Sequence, residues 1–587
     1  MNIEIAPTPS HIPSVSERLD QQVHAALAKA NSSLSLLSAW LAFLDWSAHL
    51  AVSPGKRLAL MQLAGEQTSS LAGHVFCAAL AASSRQTPDC CAPRATDRRF
   101  SAEEWHRWPF NIMQQSFLLS EQWWDAATTG VWGVSKHHEQ VVSFTARQLL
   151  DIFSPGNVPL SNPVVLHRSV EAGGLNLMRG CFNALDDLKR LVSGQAPVGA
   201  ENFVVGRDVA VTPGKVVLRN SLIELIQYTP TTGKTHPEPI LIVPAWIMKY
   251  YILDLSPQNS LIKYLVDQGH TVFCISWKNP GVEERNLGMD DYLQLGFHAA
   301  LDAVNAIVPE HKVHGAGYCL GGTLLAIANA QLARDGDHRL ASMTLFTAQT
   351  DFTEPGELAL FIDEAQISVL EAQMNEKGYL TAGQMSGAFQ LLRSSDLIWS
   401  RSMNEYLLGE RAPMTDLMAW NSDATRMPAR MHGQYLRHLF LDDDLSEGRY
   451  RVGGKPISLG DIRTPLFCVG TETDHVAPWR SVYKLHYMTP AEMTFVLTSG
   501  GHNAGIVSEP GHPHRHYRIG TSVDGESYMA PDDWQSATPI VEGSWWPAWS
   551  AWLKARSAEP AAPPKTGAAA RKYPVLGDAP GTYVLQK

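Results

Sequence analysis

Charged residues make up only 18% of the 587 positions, 47 basic against 58 acidic, and no run of lysine and arginine gathers along the chain. Binding to nucleic acid through its phosphates needs such a patch, so nucleic acid is not an expected partner. The opening residues Met1, Asn2, Ile3 and Glu4 lack the cationic stretch and apolar run of a secretory leader, and export is not expected. No stretch stays apolar for the roughly 20 residues that a bilayer core demands. The nearest, residues 34–52, is interrupted by Asp45, His49 and several serines, and it reads as an amphipathic helix rather than a transmembrane segment. Cysteine is sparse as well. The seven (Cys77, Cys90, Cys91, Cys181, Cys274, Cys319, Cys468) are odd in number and mostly set in apolar runs, which fits free thiols in a reducing cytoplasm. No pair of Cys-x-x-Cys elements is present to take zinc; neither a metal nor a cofactor is expected.

What is present is a large apolar fraction, 45%, in a chain too long for one core. Residues 1–95 form an amino-terminal extension of open role, closed by a linker rich in Ser, Thr and Pro at 83–96. Residues 96–200 carry aromatic and leucine spacing (Trp105, Trp108, Phe117, Trp123, Trp124, then Leu149, Leu150, Phe153) that predicts helices packed on one another. From 201 to 556 short β-branched runs alternate with helical stretches, at 240–243, 271–276, 312–317, 342–346, 465–470 and 494–498. That alternation predicts a largely parallel sheet covered by helices. Leu293, Phe297, Leu301, Val304 and Val308 mark the buried stripe of a crossover helix. The stretch 351–430 is too long for a loop and has helical patterning of its own, so it is expected to be an inserted lid. Residues 557–587, rich in Ala, Pro, Gly and Lys, are expected to form an extended arm rather than a packed element.

The residues that carry chemistry are Gly317-Tyr318-Cys319-Leu320-Gly321-Gly322, between a run that reads as a strand and one that reads as a helix. Glycines on both sides permit a strained turn that lifts the central side chain above a sheet, as in the nucleophile elbow of the α/β-hydrolase fold. At such a turn the helix terminus favours a thiolate, and the amide of Leu320 can point at an oxyanion. In this fold an acid and a histidine follow the nucleophile after late strands. Asp474 follows the run 465–470, and His502 follows the run 494–498. Glu472 is a competing acid and His475 a competing histidine; His475 ranks lower because it directly follows the candidate acid.

The elbow, together with Tyr250-Tyr251-Ile252-Leu253-Asp254-Leu255-Ser256-Pro257, Ser276-Trp277-Lys278-Asn279-Pro280, Asp396-Leu397-Ile398-Trp399, the run 404–409, Trp420-Asn421, Asp474-His475-Val476-Ala477-Pro478-Trp479 and Gly501-His502, resembles the signatures of polyhydroxyalkanoate synthases of the class I/II type. The resemblance runs from about residue 97 to the end and leaves the first 95 residues outside. It implies an α/β-hydrolase fold with an inserted lid behind a helical amino-terminal domain, and a triad of Cys319, Asp474 and His502. His475 and Asp254 stand as secondary site candidates. It further implies activity as a homodimer on cytoplasmic polyester granules, among granule-associated proteins. Where many members carry Pro-Pro followed by a small or polar residue, this chain has Pro244-Ala245-Trp246, and the second oxyanion donor is expected near Trp246.

The expected chemistry is polymerisation of (R)-3-hydroxyacyl groups from coenzyme A thioesters, with coenzyme A released and the polyester growing on Cys319. A cysteine hydrolase of the thioesterase or dienelactone-hydrolase kind would use the same triad with water as acceptor. A granule-coating protein that only binds polyester would have no use for the triad.

Overall fold

The computed structural model describes Val23, residues 35–80, Cys91, Asp97 and residues 99–587. The linker expected at 83–96 therefore lies, but for Cys91, outside the described residues.

Two helices lead. Helix α1 (Leu36–Ala51) starts where the Ser35 side chain accepts from the Ser38 amide. It buries Ala42 and Trp46, yet Leu36, Leu37, Trp40, Leu41, Phe43 and Leu44 remain exposed. The helix is where the sequence placed it, but its outer face is apolar instead of polar. Helix α2 (Pro54–Leu80) follows. Among the described residues no single helix is long and apolar enough to cross a membrane, and α1 and α2 are bent by 89° where they meet.

Helices α3 (Phe110–Thr128), α4 (Lys136–Ile152), α5 (Pro163–Glu171) and α6 (Leu175–Ser193) form the expected helical region. Helices α1 and α3 to α5 meet over two small clusters, one of Ala42, Trp46, Val131 and Val142, the other of Phe100, Trp105, Phe117 and Leu118. Arg99 joins them by bonding Asp97, Glu121 and Asp151. Because the clusters are small, part of the predicted aromatic stripe is left in solvent: Trp108, Leu149 and Phe153 are exposed.

The remainder of the chain is built around one eleven-stranded sheet. Its strands are β1 (Gly214–Arg219), β2 (Ile223–Tyr228), β3 (His236–Val243), β4 (His270–Trp277), β5 (Val313–Tyr318), β6 (Leu340–Phe346), β7 (Leu466–Thr471), β8 (Met493–Thr498), β9 (His516–Ser522), β10 (Val541–Glu542) and β11 (Gly577–Asp578). They lie in the order 10-9-8-7-6-5-3-4-2-1-11. The six strands read from the sequence, β3 to β8, are the parallel block. Every residue of β4, β5, β7 and β8 is buried, as strands covered by helices on both faces must be. The crossover stripe holds, with Leu293, Phe297, Leu301 and Val304 fully buried. β4 flanks β3 on one side and β5 on the other, so the chain reverses direction there and opens a crevice at the carboxyl ends of β3 and β5.

Between β6 and β7 lies the insert, with helices Glu364–Lys377, Ala382–Leu392, Asp416–Asn421 and Ala429–Tyr435. The helical region grips it at two points. Asp363, the N-cap of Glu364–Lys377, accepts from the Gln366 amide (2.8 Å) and from Ser38 Oγ, and pairs with His137 (3.4 Å). Farther along, Asp187 of α6 binds Arg401 (2.8 Å), Tyr406 (2.9 Å) and Arg411 (2.9 Å).

The carboxyl-terminal arm corrects its expectation. It is extended, but it packs: β11 pairs with β1, Ala561 bridges Thr235, and Val584 is buried. Its Ala- and Gly-rich composition hides this because the arm is held mainly through backbone hydrogen bonds.

Candidate active site

β5 delivers the elbow. It ends at Tyr318; Cys319 follows with φ 51° and ψ −123°, and helix α7 (Leu320–Asp335) begins at the next residue. A non-glycine residue in that region is strained, and such strain persists only where surrounding structure imposes it. Here the Cys319 amide donates to Phe346 O (2.9 Å), and its carbonyl accepts from the Gly322 amide (2.8 Å). The turn is also too tight for side chains beside it. A Cβ on Gly317 would lie 2.4 Å from Gly322 Cα, and one on Gly321 would lie 2.1 Å from Val243 O. The second contact matters most, since it seats the start of α7 directly on the loop that leaves β3.

The acid and the histidine come from the loops after β7 and β8. Asp474 Oδ1 accepts from the Val476 (2.8 Å) and Ala477 (2.9 Å) amides, while Oδ2 accepts from Thr471 Oγ1 (3.2 Å) and from His502 Nδ1 (2.7 Å). A carboxylate can only accept, so Nδ1 carries the proton and Nε2 is left for the sulfur. Cys319 and Asp474 are the two groups whose charge acts on the His502 ring. Both triad side chains are withdrawn from solvent, His502 at 9% and Asp474 at 0%. Burial works against charge on Asp474, but the imidazole and the two amides outweigh it and hold the carboxyl below its usual range. Burial likewise opposes charge on His502, and the attraction of Asp474 and Cys319 lifts it well above the ordinary histidine value. Tyr318 braces the ring from below, its centroid 5.8 Å away and its hydroxyl donating to Asn503 Oδ1 (2.5 Å). Sequence reasoning passed over Tyr318 and Asn503, although each is adjacent to a triad residue.

The remaining candidates separate clearly. Leu320 opens α7, so its amide has no acceptor within the helix. Trp246 lies in the loop from β3 that abuts Gly321, with its carbonyl accepting from Thr425 Oγ1 (2.6 Å) and its ring packed on Trp277 and Tyr292. Glu472 pairs with His516 (3.3 Å) and not with His502. His475 faces the insert, where Arg393 approaches its Nδ1 (3.3 Å) and its carbonyl accepts from the Glu357 amide (3.0 Å). Asp254 belongs to a separate buried knot, accepting from Thr212 (2.5 Å) and Ser260 (2.7 Å), and burial pushes it up to about 6. A cavity of about 1090 Å³ between α3, α4 and residues 352–362 reaches Asp474, His475 and Pro478. Among the described residues, the side chains that bring metal-type ligand atoms together are His438, Asp442 and Asp444, none of them in the triad.

The arrangement can activate a sulfur nucleophile and shuttle one proton, which is the requirement of acyl transfer. The chain is similar to known proteins along most of its length. A family model described as "alpha/beta hydrolase fold" matches residues 238–509, and one described as "Poly-beta-hydroxybutyrate polymerase (PhaC) N-terminus" matches residues 96–265. A third, "Poly-beta-hydroxybutyrate polymerase N terminal", matches residues 14–56, so part of the amino-terminal extension falls inside the resemblance after all. The poly(3-hydroxyalkanoate) polymerase of Methylorubrum extorquens is 42% identical over 502 residues, 84% of this chain and 82% of that one. The polymerase subunits of Rhizobium meliloti (37%; 83% of this chain, 79% of that one) and Cupriavidus necator (35%; 84% and 83%) are similar over nearly the same span. With the α/β-hydrolase sheet, the elbow and these relatives together, the chain belongs to the poly(3-hydroxyalkanoate) polymerase family.

Proposed function

We propose that this chain polymerises (R)-3-hydroxyacyl groups from their coenzyme A thioesters through a covalent acyl-cysteine on Cys319. The observation that carries the reading is the strained Cys319 at the head of α7, in one site with a His502 whose Nδ1 is fixed by Asp474 at 2.7 Å. His502 takes the thiol proton, the sulfur attacks the thioester carbonyl, and the Leu320 amide with a donor from the loop near Trp246 holds the oxyanion. The carbon–sulfur bond to coenzyme A breaks, and the leaving thiolate takes the proton from His502. The 3-hydroxyl of a further unit then gives its proton to His502 and attacks the acyl-cysteine, forming an ester and returning the sulfur. Family membership favours a hydroxyl acceptor over water. On the same reading the enzyme works as a homodimer at the surface of cytoplasmic polyester granules, which the apolar outer face of α1 suits.

The test is purified protein supplied in parallel with 3-hydroxybutyryl-CoA and 3-hydroxydecanoyl-CoA. Coenzyme A release matched by insoluble polyester supports the reading, and Cys319→Ala should remove both. Release matched instead by free 3-hydroxy acid would make water the acceptor and the enzyme a hydrolase.

A further inference from the structure

Lys249 is out of place by ordinary rules. It lies three residues beyond Trp246, is 3% exposed, and among the described residues forms no ion pair. Its ammonium donates to two backbone carbonyls of the arm, Val584 O (3.0 Å) and Gln586 O (2.5 Å). Burial pulls it down to about 8. Taking an ammonium out of water is unfavourable, and an apolar side chain of similar size would serve bare stability as well or better. What the lysine supplies is location: it fixes this loop to a segment more than three hundred residues away in sequence.

The neighbouring contacts converge on the same place. Gln586 Oε1 accepts from the Asn279 amide (3.0 Å), at the carboxyl end of β4. Lys587 pairs with Asp423 (3.2 Å), which also accepts from Tyr251 (3.0 Å), and its carbonyl accepts from Arg426 (2.9 Å). From the other side the insert holds the loop, with Trp420 Nε1 donating to Lys249 O (2.7 Å) and Thr425 to Trp246 O (2.6 Å). Trp277 Nε1 donates to Pro244 O (2.8 Å), the carbonyl that a Cβ on Gly321 would approach to 2.5 Å. A shift of the loop is therefore passed directly to the first turn of α7.

We propose that residues 582–587 are a strap that positions the β3 loop and its oxyanion donor, with Lys249 as the positioning residue that anchors it. The proposal rests on the acyl-cysteine reading, in which that loop faces the developing negative charge. It makes the strap a part of the active site that touches no substrate.

The experiment compares three full-length variants, Lys249→Met, Gln586→Ala and Cys319→Ala, with a chain lacking 583–587 and with the Lys249→Met change in that shortened chain. Initial coenzyme A release gives kcat and KM, a single turnover gives the acylation rate, and thermal unfolding is recorded for each. The expected result for Lys249→Met and for the shortened chain is a fall in kcat and in acylation of about tenfold to a hundredfold, the scale of an ångström-sized misplacement. KM and the unfolding temperature should stay close to those of the parent. The double variant should be no worse than either single one, and a synthetic peptide of residues 583–587 should restore the shortened chain but not Lys249→Met. Unchanged kcat, losses that multiply, or losses matched by general unfolding would overturn the proposal. If Lys249→Met does not fold, Gln586→Ala and peptide rescue decide. Turnover by Cys319→Ala would remove the acyl-cysteine reading itself, whereas an inactive Cys319→Ala beside unaffected strap variants would remove only the strap.

Discussion

Gly321 and Gly387 both lie in helices, and replacing either by alanine would by helix propensity alone stabilise the chain by about 0.5–1 kcal/mol. Their surroundings reverse that equality. Around Gly387, in the helix Ala382–Leu392, nothing lies within 4 Å of an added Cβ. At Gly321 the same atom would sit 2.1 Å from Val243 O and 2.5 Å from Pro244 O, so α7 and the β3 loop must part by roughly an ångström before even a strained contact is reached. Backbone on both sides leaves no flexible side chain to yield. Forced overpacking of this kind costs about 1–3 kcal/mol in stability. The kinetic effect should be larger, because the displacement falls between the Leu320 amide and the loop of Trp246 and cuts coenzyme A release on the order of a hundredfold. Thermal unfolding and a thiol assay of released coenzyme A, run on both variants, separate the effects: Gly387→Ala should keep its rate and melt slightly higher, while Gly321→Ala should lose rate and melt lower. A Gly321→Ala enzyme within twofold of the parent rate would refute the view that these carbonyls and the elbow form one rigid unit.

Asp474 orients His502 without being bonded to the sulfur, so Asp474→Asn should spare the first acylation and slow elongation; rapid quench should show a burst of coenzyme A equal to enzyme and little afterwards, and equal loss of burst and steady rate would make Asp474 necessary for acylation too. Cys319→Ala should abolish release with the fold intact, whereas Cys274→Ala and Cys468→Ala, at fully buried sites, should keep the rate and lose about 0.5–3 kcal/mol in denaturant unfolding; burial pushes the Cys468 thiol up to about 12, and alkylation at neutral pH should pass it by. Burial holds His270 down at about 3 and His314 and His432 at about 4, all below the value of about 6.5 in an unfolded chain. Below pH 6.5 the unfolded chain binds protons that the fold refuses, so each of the three should lower stability by up to about 1.4 kcal/mol per pH unit as pH falls toward 4. Unfolding at pH 7 and pH 5.5 checks this: His314→Gln should flatten the trend, and equal stability at the two values would refute it.

The parallel block was legible because its strands are buried on both faces and read as unbroken apolar runs. β2 was not. Its Glu224 and Gln227 interrupt the pattern, yet both are buried, and apart from Arg219 beside Glu224 their partners are arm residues: Thr582 and Tyr583 for Glu224, Lys565 and Gly567 for Gln227. A local reading of polarity has no access to partners at the far end of the chain. The triad was legible through order and context, since the elbow fixes where a nucleophile must stand and the late strands fix where its partners can follow. Glu472 and Asp474 are separated by the fold, not by composition: the turn after β7 directs Asp474 at His502 and Glu472 at His516. Lys249 carries no local mark at all, being one lysine in an apolar stretch whose meaning lies in two carbonyls of the arm.

The two grips on the insert give the helical region mechanical authority over a site to which it contributes none of Cys319, Asp474 and His502. Asp363 begins the helix Glu364–Lys377, and the attachment points of α1 and α4 are that same carboxylate, held down at about 2 against burial by His137, Ser38 and the Gln366 amide. Asp187 of α6 holds residues 401–411 by three side chains. The insert in turn reaches the triad loop, through the Glu357 amide on His475 O, and the β3 loop, through Trp420 and Thr425. Insert and helical region are thus tied together at two separate places. Any displacement of the insert must either carry α1, α4 and α6 along or sever both sets of bonds, so a load applied to the outer helices is a load on the insert.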